Sequence, residues 1–246
     1  MSGPASTAWM VRSGISIIAM QVGFALLESG AVRNLNTAHV MVKNLSDLTL
    51  GVVVYWACGF ALFAGTGSSF MGLTNWFLTN TDEYVFCFFH FSFAATAATI
   101  DGGAVAERFD FWCYLVLSCF TTGFVYPIVA HWQWHEEGWL FKLGFLDFAG
   151  SNVVHFLGGV SAFVACKMVG PRICAQRTRA YSMMADTAER RRKLLQQQLQ
   201  NDATPVHILF GSFMLCIGWL SFNCGSMVTL EDNEVTIGLI GMSIFL

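Results

Sequence analysis

Residues 147–167 read DFAGSNVVHFLGGVSAFVACK, and this stretch decides the architecture. An acid and a small-residue turn open an apolar run of about 20 residues, the length that crosses a hydrocarbon core of about 30 Å. One ionisable side chain, His155, interrupts that run. If Asp147 caps the helix through its carboxylate, eight residues at 1.5 Å rise put His155 about 12 Å below the cap, near mid-membrane. Position alone leaves two readings, a satisfied packing histidine or a functional group. The small residues Gly158, Gly159, Ser161 and Ala162 one turn beyond permit close helix approach, which suits a tight bundle around a narrow path.

The rest of the chain has the same character. It is 246 residues long, 55% hydrophobic and 12% charged, with a mean hydropathy of +0.55. Soluble domains carry roughly 25% charged residues, so most soluble classes are excluded. Apolar runs fall at 8–27, 48–64, 85–106, 111–130, 152–169 and 206–226, which predicts six transmembrane helices. A seventh run opens at Val235 and is too short to span. The net charge of -3 offers no basic field for nucleic acid. The first nine residues, MSGPASTAW, have no basic n-region, so the first run is read as a retained span. Cys58, Cys87, Cys113, Cys119, Cys166 and Cys216 stand singly inside apolar runs without a CxxC pair, a pattern of packing rather than of metal or disulfides.

Basic residues in short loops set the expected orientation. Arg33 and Lys43 fall between spans one and two, Arg108 between three and four, and Lys167, Arg172, Arg177, Arg179 and Arg190 to Lys193 at or after the end of five. Those loops are expected in the cytoplasm. The alternate loops carry Trp76, Asp82 and Glu83, then Trp132, Trp134, Glu136, Glu137, Trp139 and Lys142, and are expected outside with the N-terminus. Arg12, near the external end of span one, is expected to snorkel to the headgroups. Between spans five and six, residues 171–204 read as a cytoplasmic loop with a basic helix. Asp186 and Glu189 resemble a capping box opening AERRRKLLQQQLQ, with Glu189 four residues before Lys193. A solvated loop helix is the plainer reading, and attraction to anionic lipid headgroups the sharper one.

Six ordered blocks then resemble one family: MQVGFALLESGAVRNLN, KNLSDLTLGVVVYWACGFALFAG, GGAVAERFDF, YPIVAHWQW, LDFAGSNVVHFLGGVSA and GWLSFNCGS all look like the ammonium transporter (Amt/MEP) family. The resemblance implies an all-α polytopic membrane protein with eleven helices, arranged as two inverted five-helix repeats plus one. It also implies a homotrimer with a narrow pore in each subunit, carrying ammonium or ammonia without a cofactor or metal. This chain then corresponds to the first repeat plus the start of the second, and 1–246 to a partial ammonium transporter domain. A fragment, a truncated gene model or a short isoform is the expectation.

Position by position, Trp134 in AHWQW matches the tryptophan that walls the family's outer cation site, and Ser226 in FNCGS the hydroxyl that accepts a hydrogen bond there. Phe93 in HFSFAATAA and Phe222 in GWLSFN match the paired phenylalanines of a hydrophobic constriction, which strips water from what passes. His155 matches the first of two pore histidines; an imidazole both donates and accepts hydrogen bonds and so suits ammonia. Asp147 matches the acid of the family signature, assigned to capping and shaping the outer site. No histidine here matches the second pore histidine. His90 stands where the family usually has glutamine, one turn outward from Phe93; it either lines the outer vestibule, adding pH sensitivity there, or packs against a neighbouring helix. HWQWHEEG, with histidines four apart in an aromatic external loop, reads as anchoring rather than a metal site. No nucleophile, metal cluster or phosphate loop in the spans points to an enzyme. The functions in competition are ammonium transport, a non-conducting ammonium sensor or interaction subunit, and an Rh-type gas channel.

Overall fold

Six helices long and apolar enough to cross a membrane make up the computed structural model, with residues 3–172, 183, 187–190, 192, 193, 204–230 and 233–244 described. They are α1 (Pro4–Ala31), α2 (Asn34–Ala64), α3 (Tyr84–Val105), α4 (Phe111–Lys142, interrupted near Gly138), α5 (Ser151–Val169) and α6 (Pro205–Gly225). A shorter apolar helix, α7 (Glu234–Ser243), follows; its ten residues reach about 15 Å, half of a hydrocarbon core. The helix α3 forms the centre of the bundle, with 78% of its apolar window buried against 22% for α5 and for α6. The broadest helix contacts are α1 with α6, α1 with α3, and α3 with α5.

Backbones meet where side chains vanish. A Cβ on Gly211 of α6 would lie 2.5 Å from the Leu27 amide nitrogen and 2.6 Å from the Gly23 carbonyl oxygen of α1. Both obstacles are backbone, so no side chain can swing aside. Gly211→Ala is expected to lower stability by about 2 kcal/mol through this overpacking, read as a fall in the thermal unfolding midpoint of purified protein. A variant as stable as the parent would mean that α1 and α6 separate easily. On the other flank, a Cβ on Gly158 of α5 would lie 3.0 Å from the Ala97 carbonyl oxygen of α3, the close approach that the small residues after His155 suggest.

Three helices each contain a wide turn: Tyr55–Gly59 in α2, Thr121–Val125 in α4 and Ser151–Phe156 at the start of α5. Such π-type turns free backbone groups and re-aim side chains, and they recur at functional positions. The first two pack on each other, and the third carries His155.

Two sequence readings are corrected. Lys43 is no loop residue: α2 begins more than two turns before the apolar run, and Lys43 is buried in it, 2.7 Å from Glu28 of α1. Trp132 and Trp134 belong to the last turn of a helix rather than to a loop, because α4 continues past residue 130. Among the described cysteines, Cys87 and Cys224 are buried, whereas Cys113 and Cys216 lie on exposed faces, so packing within the bundle accounts for only some of them.

At the end of α3 remote from its first turn, Glu107 adopts a left-handed backbone (φ 60°), which a non-glycine residue holds only when its surroundings impose it. Its carboxylate accepts Arg33 Nε at 2.9 Å, Arg172 Nη1 at 3.2 Å and the Asn36 amide. Burial pushes this carboxyl up, but the hydrogen bonds from Arg33 and Asn36 outweigh it and hold the group below the usual carboxylate value. One acid thus ties together the α1–α2 connection, the end of α3 and the exit from α5. Within the 171–204 segment, the Arg190 amide donates to Thr187 Oγ1 at 3.2 Å, and an exposed Glu189–Lys193 pair spans 3.0 Å. Asp186, Arg177, Arg179, Arg191 and residues 194–203 lie outside the described residues.

Candidate functional site

The site begins with Asp147. Its Oδ1 accepts the backbone N–H groups of Gly150 (2.8 Å) and Ser151 (3.0 Å), and its Oδ2 those of Asn152 (2.9 Å) and Val153 (2.8 Å). Four donors that the first turn of α5 cannot satisfy internally are thereby met by one side chain. Gly150 makes the turn possible, with φ at +80° and no room for a Cβ beside Val154. The Asp147 carbonyl in turn accepts Trp134 Nε1 at 2.6 Å, and Asn152 Nδ2 donates to Gln133 at 3.1 Å. The start of α5 is thus fastened to the turn of α4 that precedes its interruption.

Trp134, Asp147, Phe93 and Ser226 all line one cavity of about 280 Å³, together with His90, Phe63, Phe86, Phe89, Phe148 and Val228. Trp134 meets Phe93 edge to face, centroids 6.0 Å apart at 86°. Ser226, just past the end of α6, donates its hydroxyl to the Phe222 carbonyl at 2.8 Å, leaving its oxygen lone pairs available as acceptors.

Beside the cavity Phe93 packs against Phe222. Both are fully buried, and their rings are 4.2 Å apart and tilted by 40° rather than parallel. Beyond them His155 stands 5.3 Å from Phe222 and stacks at 14° and 5.3 Å on Trp219. All six residues singled out in the sequence, Trp134, Ser226, Phe93, Phe222, His155 and Asp147, are therefore joined in one chain of contacts. The sequence reading missed Phe63, Phe86 and Trp219. Trp219 had a signal, since it precedes Phe222 by one helical turn, whereas Phe63 had none among 23 phenylalanines.

A separate cluster, His131, His135 and Glu137, has ligand atoms within 4.8 Å of one another. Its geometry favours tethering over coordination. Nδ1 of His131 lies 2.6 Å from the Phe63 carbonyl oxygen and Nε2 lies 2.9 Å from that of Ser68, so both nitrogens are engaged with backbone of the 63–68 segment. Glu137 accepts the Gly67 amide of that segment at 3.0 Å.

Comparison with known proteins bears on the family and the fold. The model of the Ammonium Transporter Family matches residues 8–244. Ammonium transporter Amt2 of Archaeoglobus fulgidus is 39% identical, over 95% of this chain and 50% of its own length. Ammonium transporter 1 member 3 of Solanum lycopersicum is 35% identical, over 89% of this chain and 47% of its own. Among solved structures, one described as a Sensor Amt Protein superposes with a TM-score of 0.80 at 31% identity, covering 96% of this chain and 57% of that one. Mep2 from Candida albicans superposes at 0.69 with 25% identity, covering 93% and 49%. The chain spans about half the length of the curated relatives it matches.

Proposed function

The chain belongs to the ammonium transporter family, and from that premise we propose that the chain of contacts from Trp134 to His155 lines the first half of a conduit for ammonium or ammonia. The observation that carries this reading is the unbroken sequence of ring contacts from Trp134 through Phe93 and Phe222 to His155. Such a line has an attractive mouth, an apolar neck and a polar residue beyond the neck.

At the mouth, the face of Trp134 attracts a cation with roughly 0.5–2 kcal/mol, and the Ser226 oxygen accepts an N–H. At the neck, an intact charge costs several kcal/mol or more to carry into an apolar environment. Ammonium avoids that cost by giving its proton to water at the outer mouth and entering the neck as ammonia, which potassium cannot do. On the far side His155 offers ammonia both a donor and an acceptor. Asp147 serves by position: it fixes the first turn of α5 and, through its carbonyl, the indole of Trp134.

In this reading residues 1–246 are part of an ammonium transporter domain, and 171–204 is a cytoplasmic loop with a basic helix. The protein is a multi-pass membrane protein, placed here in the plasma membrane with its N-terminus outside. The sparse burial of α5 and α6 supports further helices against their outer faces, and with them assembly of a homotrimer. The work done is transport rather than catalysis, and no resident cofactor takes part.

The test is methylammonium uptake by cells that lack ammonium transporters of their own. Expression of this chain is expected to confer saturable uptake, and His155→Ala to reduce it about tenfold, the loss of one good hydrogen bond in the pore. Equal uptake by the variant would remove His155 from the path. The likeness to a Sensor Amt Protein favours one second reading, an ammonium sensor that binds at the outer cavity without conducting. Saturable binding of methylammonium without uptake would select it.

A further inference from the structure

We propose that His90 is a recognition residue of the outer cavity, where an imidazole lone pair accepts an N–H from ammonium or a methylated ammonium and so favours N–H cations over potassium. The proposal rests on the outer site put forward above and adds a residue that decides its selectivity. His90 is buried in α3, only 8% exposed, and walls the cavity shared by Trp134, Asp147 and Ser226. Its neighbours are aromatic: ring centroids lie 4.3 Å away for Phe86, 4.5 Å for Phe63, 5.5 Å for Trp134 and 6.0 Å for Phe93. Neither ring nitrogen has a hydrogen-bond partner among the described residues, and Nδ1 is buried without one. Nδ1 is enclosed by protein, so Nε2 is the nitrogen able to meet a ligand; with no protein partner of its own, it is left to be satisfied from the cavity that His90 lines.

The chemistry of that nitrogen specifies the ligand. An aromatic face attracts any cation of suitable size, and a hydroxyl oxygen serves potassium as readily as ammonium. The imidazole lone pair differs from both. It accepts a directional, charge-assisted bond from N–H, while hard cations take oxygen ligands in preference. A phenylalanine would pack as well against these aromatic rings and would offer no lone pair, so packing alone does not require histidine here. His90 also stands on the entrance side of the Phe93–Phe222 neck, with His155 on the other, so the cation is examined before it reaches the constriction.

The experiment is calorimetric titration of the purified protein in lipid nanodiscs with methylammonium chloride, with potassium chloride as competitor at constant ionic strength. His90→Phe is expected to weaken methylammonium binding roughly tenfold and to leave potassium competition within about twofold. His90→Gln, which restores an acceptor, is expected to stay within about threefold of the parent. Equal weakening of both cations by His90→Phe, or no weakening of methylammonium, overturns the assignment while leaving the outer site standing. Absence of saturable binding by the parent, or binding that Trp134→Ala does not weaken, overturns the outer site itself and the role of His90 with it.

Discussion

Lys43→Met is expected to destabilise the protein by about 3–5 kcal/mol, the cost of leaving its buried partner without a counter-charge. The side chains of Lys43 and Glu28 are each only 4% exposed and meet at 2.7 Å between α2 and α1. Lys43 also donates to the Gly102 carbonyl of α3 at 2.8 Å and lies 4.4 Å over the Tyr114 ring of α4. Glu28 Oε2 accepts both Lys43 and, at 3.2 Å, Asn44, whereas Oε1 has no partner among the described residues. Among the described residues no second cation pairs with Glu28 to replace the ammonium group. The same lysine ties four helices to one point, so its removal loosens the bundle at the end opposite the cavity.

A double variant separates the pair's own worth from the penalty of breaking it. Glu28→Gln with Lys43→Met removes both charges and keeps a side chain able to bond Asn44. It is expected to recover at least half of the loss, because a buried ion pair is often no better than a neutral pair of similar shape. Unfolding midpoints of the parent, both single variants and the double variant in one detergent give the cycle. A Lys43→Met protein as stable as the parent would mean that water reaches Glu28 and that the pair is solvated.

What the sequence disclosed and what it withheld follow from the same physics. A bilayer demands long apolar helices, so the six spans stand out, and a charge at depth is costly, so His155 does too. Lys43 was misread because topology rules count basic residues near span ends, while its burial depends on Glu28, fifteen residues earlier on another helix. The wide turns in α2, α4 and α5 left no trace, since hydrophobic period cannot distinguish a π turn from an α turn. The ends of helices were blurred as well: Trp134 reads as a loop anchor until α4 is seen to run on to it. His90 could be placed one turn from Phe93, but whether it packed or faced a vestibule awaited the positions of Phe63 and Trp134 on other elements. Pairings between distant segments were beyond composition and spacing.

Asp147→Ala is expected to cost about 3 kcal/mol, more than the roughly 1–2 kcal/mol of an ordinary helix cap. The difference lies in the number of donors. An ordinary cap meets one backbone N–H, whereas the two Asp147 oxygens meet four, at 2.8 to 3.0 Å. Each bond is charge-assisted and aligned with the positive end of the α5 dipole. Water can replace part of this at a cavity wall, which keeps the expected cost below the sum of four such bonds. Asparagine is a poor substitute: its carbonyl oxygen serves one pair of N–H groups, but its NH2 then faces the other pair, donor against donor. Asp147→Asn is therefore expected to recover no more than about 1 kcal/mol of the loss. Because the Asp147 carbonyl also holds Trp134 Nε1 at 2.6 Å, disorder in the turn should reach the indole. Tryptophan fluorescence of Asp147→Ala, read against a Trp134→Phe background, should change only when Trp134 is present. A variant that keeps both the unfolding midpoint and the Trp134 signal of the parent would show that the turn at 147–153 is set by Gly150 and the α4 contact alone.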